Sequence, residues 1–219
     1  MSEERVTVAI DSGIAEVTLN RPDKLNAFDL AMFDAVAEAG ERLAGEPGLR
    51  AVILTGAGRG FCAGIDTQQL GQFVQNIDHF RDEIVTPPAG RAANRYQHPC
   101  TVWADLPVPV IAAVHGVCYG AGMQLALGAD LRIAAPDAQL SIMETRWGLI
   151  PDMGITKLLP GLMRADQALD LILSGRVLGA DEAQSLGLVT RLAENPLAAA
   201  REAARAIAER SPEAARGAK

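Results

Sequence analysis

Twice along the chain an apolar, β-prone run empties into a stretch of small residues that then turns helical, and this repeated junction limits the possible folds more than any other feature. In the first, Val52-Ile53-Leu54 leads into Gly60-Phe61-Cys62-Ala63-Gly64-Ile65-Asp66. In the second, Val110-Ile111-Ala112-Ala113-Val114 leads into Gly116-Val117-Cys118-Tyr119-Gly120-Ala121-Gly122. Small residues let a ligand approach the backbone closely, and helix N-termini present unpaired N–H groups. Set side by side, two such turns can aim two N–H donors at one oxygen and so form an oxyanion hole, where losing one donor costs about 3–4 kcal/mol of barrier. Read singly, each is an ordinary tight turn of an α/β protein. Neither is a P-loop, because no Gly-Lys-Ser/Thr follows, and Gly56-Ala57-Gly58-Arg59-Gly60 lacks the full dinucleotide-binding spacing.

The rest of the chain supplies compatible elements. Residues 6–10 and 14–19 are short β-rich runs about Asp11-Ser12-Gly13, a hairpin signal. Asp29 stands where it can cap a helix whose apolar positions are Leu30, Phe33, Val36 and Ala37, ended by Gly45 and Pro47-Gly48. Residues 51–54, 110–114, 131–134 and 139–142 read as strands, and residues 121–127 as an apolar helix. Residues 75–100 read as an irregular surface segment, interrupted by Pro87-Pro88, Gly90 and Pro99. Beyond Pro151 the periodicity is helical, at 155–159, 165–173, 180–186 and 196–208, with Ser211-Pro212-Glu213 opening another helix. Strand–helix alternation followed by helices implies an α/β core over residues 1–190, with residues 191–219 beginning a helical C-terminal region.

A chain of 219 residues with 49% hydrophobic and 21% charged residues is long enough to bury one sizeable core. A net charge of −7 gives no basic footprint for nucleic acid. Arg21, Lys24 and Arg59 offer positive charge near one edge for a polyanionic ligand. Cys62, Cys100 and Cys118 have neither metal spacing nor an even count, and His79, His98 and His115 make no metal site. No apolar run is long enough to cross a membrane, and the polar start of the chain lacks a signal-peptide core, so a cytoplasmic location is expected.

Four stretches in register resemble the enoyl-CoA hydratase/isomerase (crotonase) superfamily: Leu19-Asn20-Arg21-Pro22-Asp23-Lys24-Leu25-Asn26-Ala27, then Phe61 to Asp66, then Ala112-Ala113-Val114-His115-Gly116 through Gly128-Ala129-Asp130-Leu131-Arg132-Ile133-Ala134, and finally Glu144-Thr145-Arg146-Trp147-Gly148-Leu149-Ile150-Pro151-Asp152-Met153-Gly154. The resemblance implies a crotonase-like spiral of ββα units, its helical C-terminal region shortened here, assembled as a homotrimer or hexamer. It implies no permanently bound cofactor, coenzyme A entering only as part of an acyl-CoA substrate. The backbone N–H groups of Ile65 and Ala121 become the oxyanion donors. Coenzyme A is expected along Lys24, Leu25 and Ala27 and along Ala63, Gly64 and Asp66, with Gly120 beside the thioester.

An oxyanion hole moves no protons, so the reaction depends on nearby acids and bases. Hydratases of the superfamily hold their water with two glutamates; here the positions are Gln124 and Glu144. A glutamine orients water but cannot take its proton. Dienoyl-CoA isomerases carry acids at positions matching Glu144 and Asp152, and two separated carboxylates suit removing a proton at one carbon and returning it at another. Isomerisation of an enoyl- or dienoyl-CoA is therefore preferred, with hydration or a catalytically silent CoA-binding protein as alternatives. Asp152 also matches the nucleophile of dehalogenases in the superfamily, which lack the glutamate found here. Plainer roles exist: Glu144 as a surface partner of Arg146, Asp152 as a helix N-cap, and Gln124 as a buried polar contact.

Overall fold

The computed structural model describes residues 4–219. β1 (Val6–Asp11) and β2 (Ile14–Leu19) form the expected antiparallel hairpin, and α1 (Leu30–Ala44) starts where Asp29 accepts the Met32 N–H. The next strand, β3 (Ala51–Gly56), is buried throughout and lies parallel to β2. Three helices then follow, α2 (Thr67–Gln75), α3 (Ile77–Val85) and α4 (His98–Asp105), before β4 (Val110–Val114) and β5 (Val117–Tyr119). The second half runs through α5 (Ala121–Leu127), β6 (Leu131–Ala134), β7 (Gln139–Ser141), a 3-10 turn (Glu144–Trp147), α6 (Ile155–Leu158) and α7 (Ala165–Ser174). It continues with β8 (Leu178–Gly179), α8 (Ala180–Ser185), β9 (Arg191–Leu192), α9 (Pro196–Ala208) and α10 (Pro212–Ala218).

Two sheets result. The larger has the order β1-β2-β3-β4-β6-β9, parallel from β2 onward; the smaller is β5-β7-β8. The chain advances by a repeated step, placing a strand in the large sheet, then one in the small sheet, then a helix: β4, β5, α5 is one such turn. β3 begins another, in which the small-sheet position is a parallel bridge from Cys62 to Cys118, before α2. This is the spiral of ββα units.

Alternate residues of the central strands serve opposite faces. Val52, Leu54, Val110, Ala112 and Val114 enter the main core beneath α1 and α5, while Ala51, Ile53, Ile111, Ala113 and Ile133 form a second core. Ala200 and Ala204, one turn apart on α9, close that second face, their small side chains letting the helix lie near the strands. With both faces covered, continuous apolar strands are the stable solution.

Three sequence expectations change. Residues 75–100 are not irregular throughout: α3 and the start of α4 occupy much of that span, leaving residues 86–97 as the connection. Asn94 organises this connection by donating to the Ile84 carbonyl and accepting from the Tyr96 and Gln97 N–H groups. The second glycine turn is split by β5, which carries Cys118 into the core. Asp152 caps nothing, because α6 starts after Gly154 and has no side-chain cap.

Candidate active site

The two turns meet. Leu25 and Asn26 both adopt left-handed backbone (φ +48° and +56°), a strain of about 1 kcal/mol or more per residue, of the kind found at ligand-binding segments. It is sustained by Asn26, fully buried, whose amide donates to the carbonyls of Ala57 and Gly60 (both 2.9 Å) and Phe61 (3.1 Å) while its oxygen accepts the Arg21 N–H. The Ala63 N–H donates to Leu25 O, the Phe28 N–H to Gly64 O, and the Asp66 N–H to Phe28 O. Lys24, Leu25 and Ala27 are thereby joined to Ala63, Gly64 and Asp66 as one ledge.

In the parallel bridge between Phe28 and Ile65 the bonds flank Ile65, so its own N–H points away from Phe28. No acceptor among the described residues takes it. Ala121 opens α5, where the first N–H groups have no helical partner, and its N–H is likewise free of acceptors among the described residues. The approach of the turns depends on glycine. A Cβ at Gly64 (φ +101°) would stand 3.0 Å from Tyr119 O and 3.7 Å from Ala121 N. Ile65 and Ala121 line one cavity of about 110 Å³ together with Ala63, Gly64, Gly120 and Glu144.

Glu144 belongs to this cavity and not to the surface. The residue is 9% exposed, its Oε1 accepts from Gln124 Nε2 at 2.7 Å, and Arg146 is exposed and forms no ion pair with it. Burial raises its carboxyl above the ordinary range, and the negative charge of Asp152 adds to the rise. Glu144 Oε2 and Gln124 Oε1 are buried without partners among the described residues. Two orphaned acceptors side by side are what a water or a substrate proton would fill.

Asp152 lines a second cavity, of about 160 Å³, which shares Ile65, Leu70 and Leu149 with the first. Solvent reaches Asp152, yet desolvation on its cavity side still raises its carboxyl. Gln124 lines neither cavity, and its tie to the site is the hydrogen bond to Glu144. The three cysteines are buried thiols whose ionisation burial suppresses, Cys62 being pushed up to about 12. His115 bonds to the Gly58 carbonyl. His98 is half-buried against Glu41. Arg21 is not free for an anionic ligand either: it pairs with Asp66 at 2.8 Å and approaches Asp29, the residues that cap α2 and α1.

The wall residues Leu70, Phe73, Tyr96 and Leu149 escaped the sequence reading. A signal existed in the aromatics, for four of the five phenylalanines and one of the two tyrosines form one chain of edge-to-face contacts: Phe28, Phe33, Tyr96, Phe73, Phe80.

The family model for enoyl-CoA hydratase/isomerase matches residues 9–219. The chain belongs to that family. As an enoyl-CoA hydratase/isomerase family enzyme it acts on acyl-CoA thioesters. It is 38% identical over 187 residues to the 1,2-epoxyphenylacetyl-CoA isomerase of Escherichia coli K12, covering 85% of this chain and 68% of that one. It is 35% identical over 228 residues to the human mitochondrial Delta(3,5)-Delta(2,4)-dienoyl-CoA isomerase, covering 98% and 66%. An enoyl-CoA hydratase/isomerase from Mycobacterium paratuberculosis superposes with a TM-score of 0.89 at 29% identity, covering 98% of this chain and 83% of that structure.

Proposed function

We propose that this enzyme moves a double bond within an unsaturated acyl-CoA. The thioester oxygen accepts the Ile65 and Ala121 N–H groups, and the positive end of the α5 dipole adds to their field. Charge drawn onto that oxygen acidifies the neighbouring C–H bonds. One carboxylate of the pair Glu144 and Asp152 takes a proton, and the other, neutral, returns one further along the chain. The observation that carries this reading is the placement of two carboxyl groups, both raised by desolvation, on adjoining cavities that share Ile65. Like charges there disfavour double ionisation, which suits one member of the pair to act as the acid and the other as the base. Gln124 orients the Glu144 carboxyl, and coenzyme A lies along Lys24, Leu25 and Ala27 and along Ala63, Gly64 and Asp66. Relatives of this chain bear isomerase names and enoyl-CoA hydratase names alike, so the choice rests on the carboxyl pair. The assembly is read as a cytoplasmic homotrimer or hexamer.

Incubation with a 3,5-dienoyl-CoA should produce the absorbance of a 2,4-diene conjugated to the thioester, and both Glu144→Gln and Asp152→Asn should abolish it. Turnover surviving both substitutions would refute the mechanism. A second reading is hydration of a 2-enoyl-CoA, favoured by the paired vacant acceptors Gln124 Oε1 and Glu144 Oε2, which suit the two hydrogens of a water. Gln124→Glu supplies the missing acid, and a gain of ten-fold or more in hydration over the parent enzyme is expected. Rapid hydration by the unmodified protein would reverse the order of the two readings.

A further inference from the structure

The 3-10 turn Glu144–Trp147 carries a side chain that the mechanism above leaves unused. Side chains three apart on such a turn eclipse one another, so Glu144 and Trp147 share one side. That side is the oxyanion cavity, which both residues line together with Ile65, Leu70 and Ala121. The two residues between them stay out of the cavity and anchor the turn. Thr145 donates its hydroxyl to the Ile172 carbonyl of α7 at 2.7 Å. Arg146 lies over Gly175 at the end of the same helix, where a Cβ would stand 3.0 Å from the arginine Cγ. Gly148, at φ +71°, stops the turn at once, and the Leu149 N–H returns to the Glu144 carbonyl. The backbone beneath Trp147 is thus fixed to α7 and to Glu144.

The indole itself is held by little. It is 58% exposed, whereas Trp103, the other tryptophan, is fully buried and donates its indole N–H to the Pro99 carbonyl. Trp147 has no such acceptor and no ring neighbour among the described residues. A large ring left in water forgoes the stabilisation of burial, and tryptophan is favoured where one end is apolar and the other wet. The mouth of this cavity offers both, with Ile65, Leu70, Met143 and Leu149 on its walls. A thioester whose oxygen meets the Ile65 and Ala121 N–H groups lies in the same cavity, so it lies beside the indole.

Resting on the oxyanion reading given above, we propose that Trp147 is a substrate-contacting residue that covers the bound thioester and selects acyl-CoA over free coenzyme A. Coenzyme A ends in a thiol and leaves the carbonyl position and the space beyond it empty. Only a thioester fills the cavity beneath the indole, so only a thioester gains from burying it. The contact is made alike before and during the reaction, so it sets affinity and leaves the chemical step alone.

Quenching of tryptophan fluorescence by acrylamide reads the contact directly, because Trp103 is out of reach and Trp147 carries the quenchable signal. Octanoyl-CoA, which is saturated and cannot isomerise, should lower the quenching constant of the unmodified protein at least two-fold. Coenzyme A alone should change it little. In titration calorimetry Trp147→Ala should bind octanoyl-CoA about ten-fold more weakly, the effect of burying about half of an indole, and coenzyme A within about two-fold of the parent. Trp147→Phe, which keeps an apolar ring, should recover most of the loss. With a dienoyl-CoA the alanine variant should show its loss in KM and keep kcat within about three-fold. Octanoyl-CoA that binds without lowering the quenching, or a Trp147→Ala loss shared equally by coenzyme A, overturns the proposal. So does a fall in kcat in place of the rise in KM, which would mean that the substitution had displaced Glu144. An indole already shielded in the unliganded protein overturns it too, and is the result expected if a second copy of the chain covers Trp147. Protection without turnover of a dienoyl-CoA upholds the contact and removes the isomerase reading. Octanoyl-CoA binding no more tightly than coenzyme A removes both the contact and the oxyanion site.

Discussion

Replacing Glu144 by glutamine should kill the enzyme and stabilise it at the same time. The carboxyl of Glu144 is buried and holds one hydrogen bond, from Gln124 Nε2, while its Oε2 and Gln124 Oε1 have no partners among the described residues. In Glu144→Gln the new amide can donate to Gln124 Oε1 while its oxygen keeps the existing bond. One orphaned acceptor gains a donor, and the other ceases to exist. Leaving such a group unsatisfied costs about 1–3 kcal/mol, so a gain of about 2 kcal/mol is expected at neutral pH. For a chain of this length that raises the melting temperature by about 4–8 °C. The pH dependence supplies a sign check. Folding raises the Glu144 carboxyl above the ordinary value of 4.5, so the parent's stability from this group is complete below that value and is lost as pH rises through the folded one. The variant does not titrate there, and Asp152 is common to both proteins. The gap in melting temperature should be smaller at pH 4 than at pH 7. Scanning calorimetry of both proteins at the two pH values measures it, and initial rates with a dienoyl-CoA should fall by about 10²–10⁴-fold. An unchanged or lower melting temperature at pH 7, or a gap equal at both pH values, would refute the reasoning.

Three further substitutions probe other parts of the frame. Ala121→Pro removes the N–H proposed as an oxyanion donor, at the first helical position, where proline is tolerated; kcat should drop by about 10²–10³-fold with coenzyme A affinity retained in a binding titration. Gly122→Ala is favoured by helix propensity by about 1 kcal/mol, but its Cβ would lie 2.5 Å from Cys62 O and 2.6 Å from Cys62 Cβ, so urea melts should show a net loss of about 2 kcal/mol. Arg21→Met strands Asp66, and breaking this nearly buried pair should cost about 3 kcal/mol at pH 7. Although burial opposes it, the Gln68 N–H and Arg21 hold the Asp66 carboxyl below its usual range, so the contribution is present at neutral pH and lost as pH falls; the deficit of the variant should shrink on acidification.

What the sequence made legible was whatever is written in local pattern. The strands around Ile53 and Ile111 were readable because both of their faces are apolar, and α1 because Asp29 and Gly45 bracket a helical stripe. α3 was not, because Phe80 is its one buried residue and its hold on the fold passes through polar ties such as Glu83 with Arg95 and Tyr96. β5 was hidden by its length, three residues with only Cys118 fully inside. At the site, the glycine turns announced close backbone approach, but that they face one another is a matter of tertiary assembly. The pairing of Gln124 with Glu144 joins positions twenty residues apart, on a helix and a 3-10 turn, and no spacing rule foresees it. The roles assigned to Ile65, Ala121 and Asp152 came from resemblance, not from periodicity.

The order of the large sheet, β1-β2-β3-β4-β6-β9, is also the order of synthesis. Each strand emerging from the ribosome can dock on the free edge left by its predecessor, and no later strand has to wedge between two already joined. Assembly can thus proceed as a zipper from the N-terminal hairpin. The growing edge stays open until Arg191–Leu192 pair with β6 and α9 closes over the second core, so the nascent chain is most vulnerable to aggregation just before those last segments arrive.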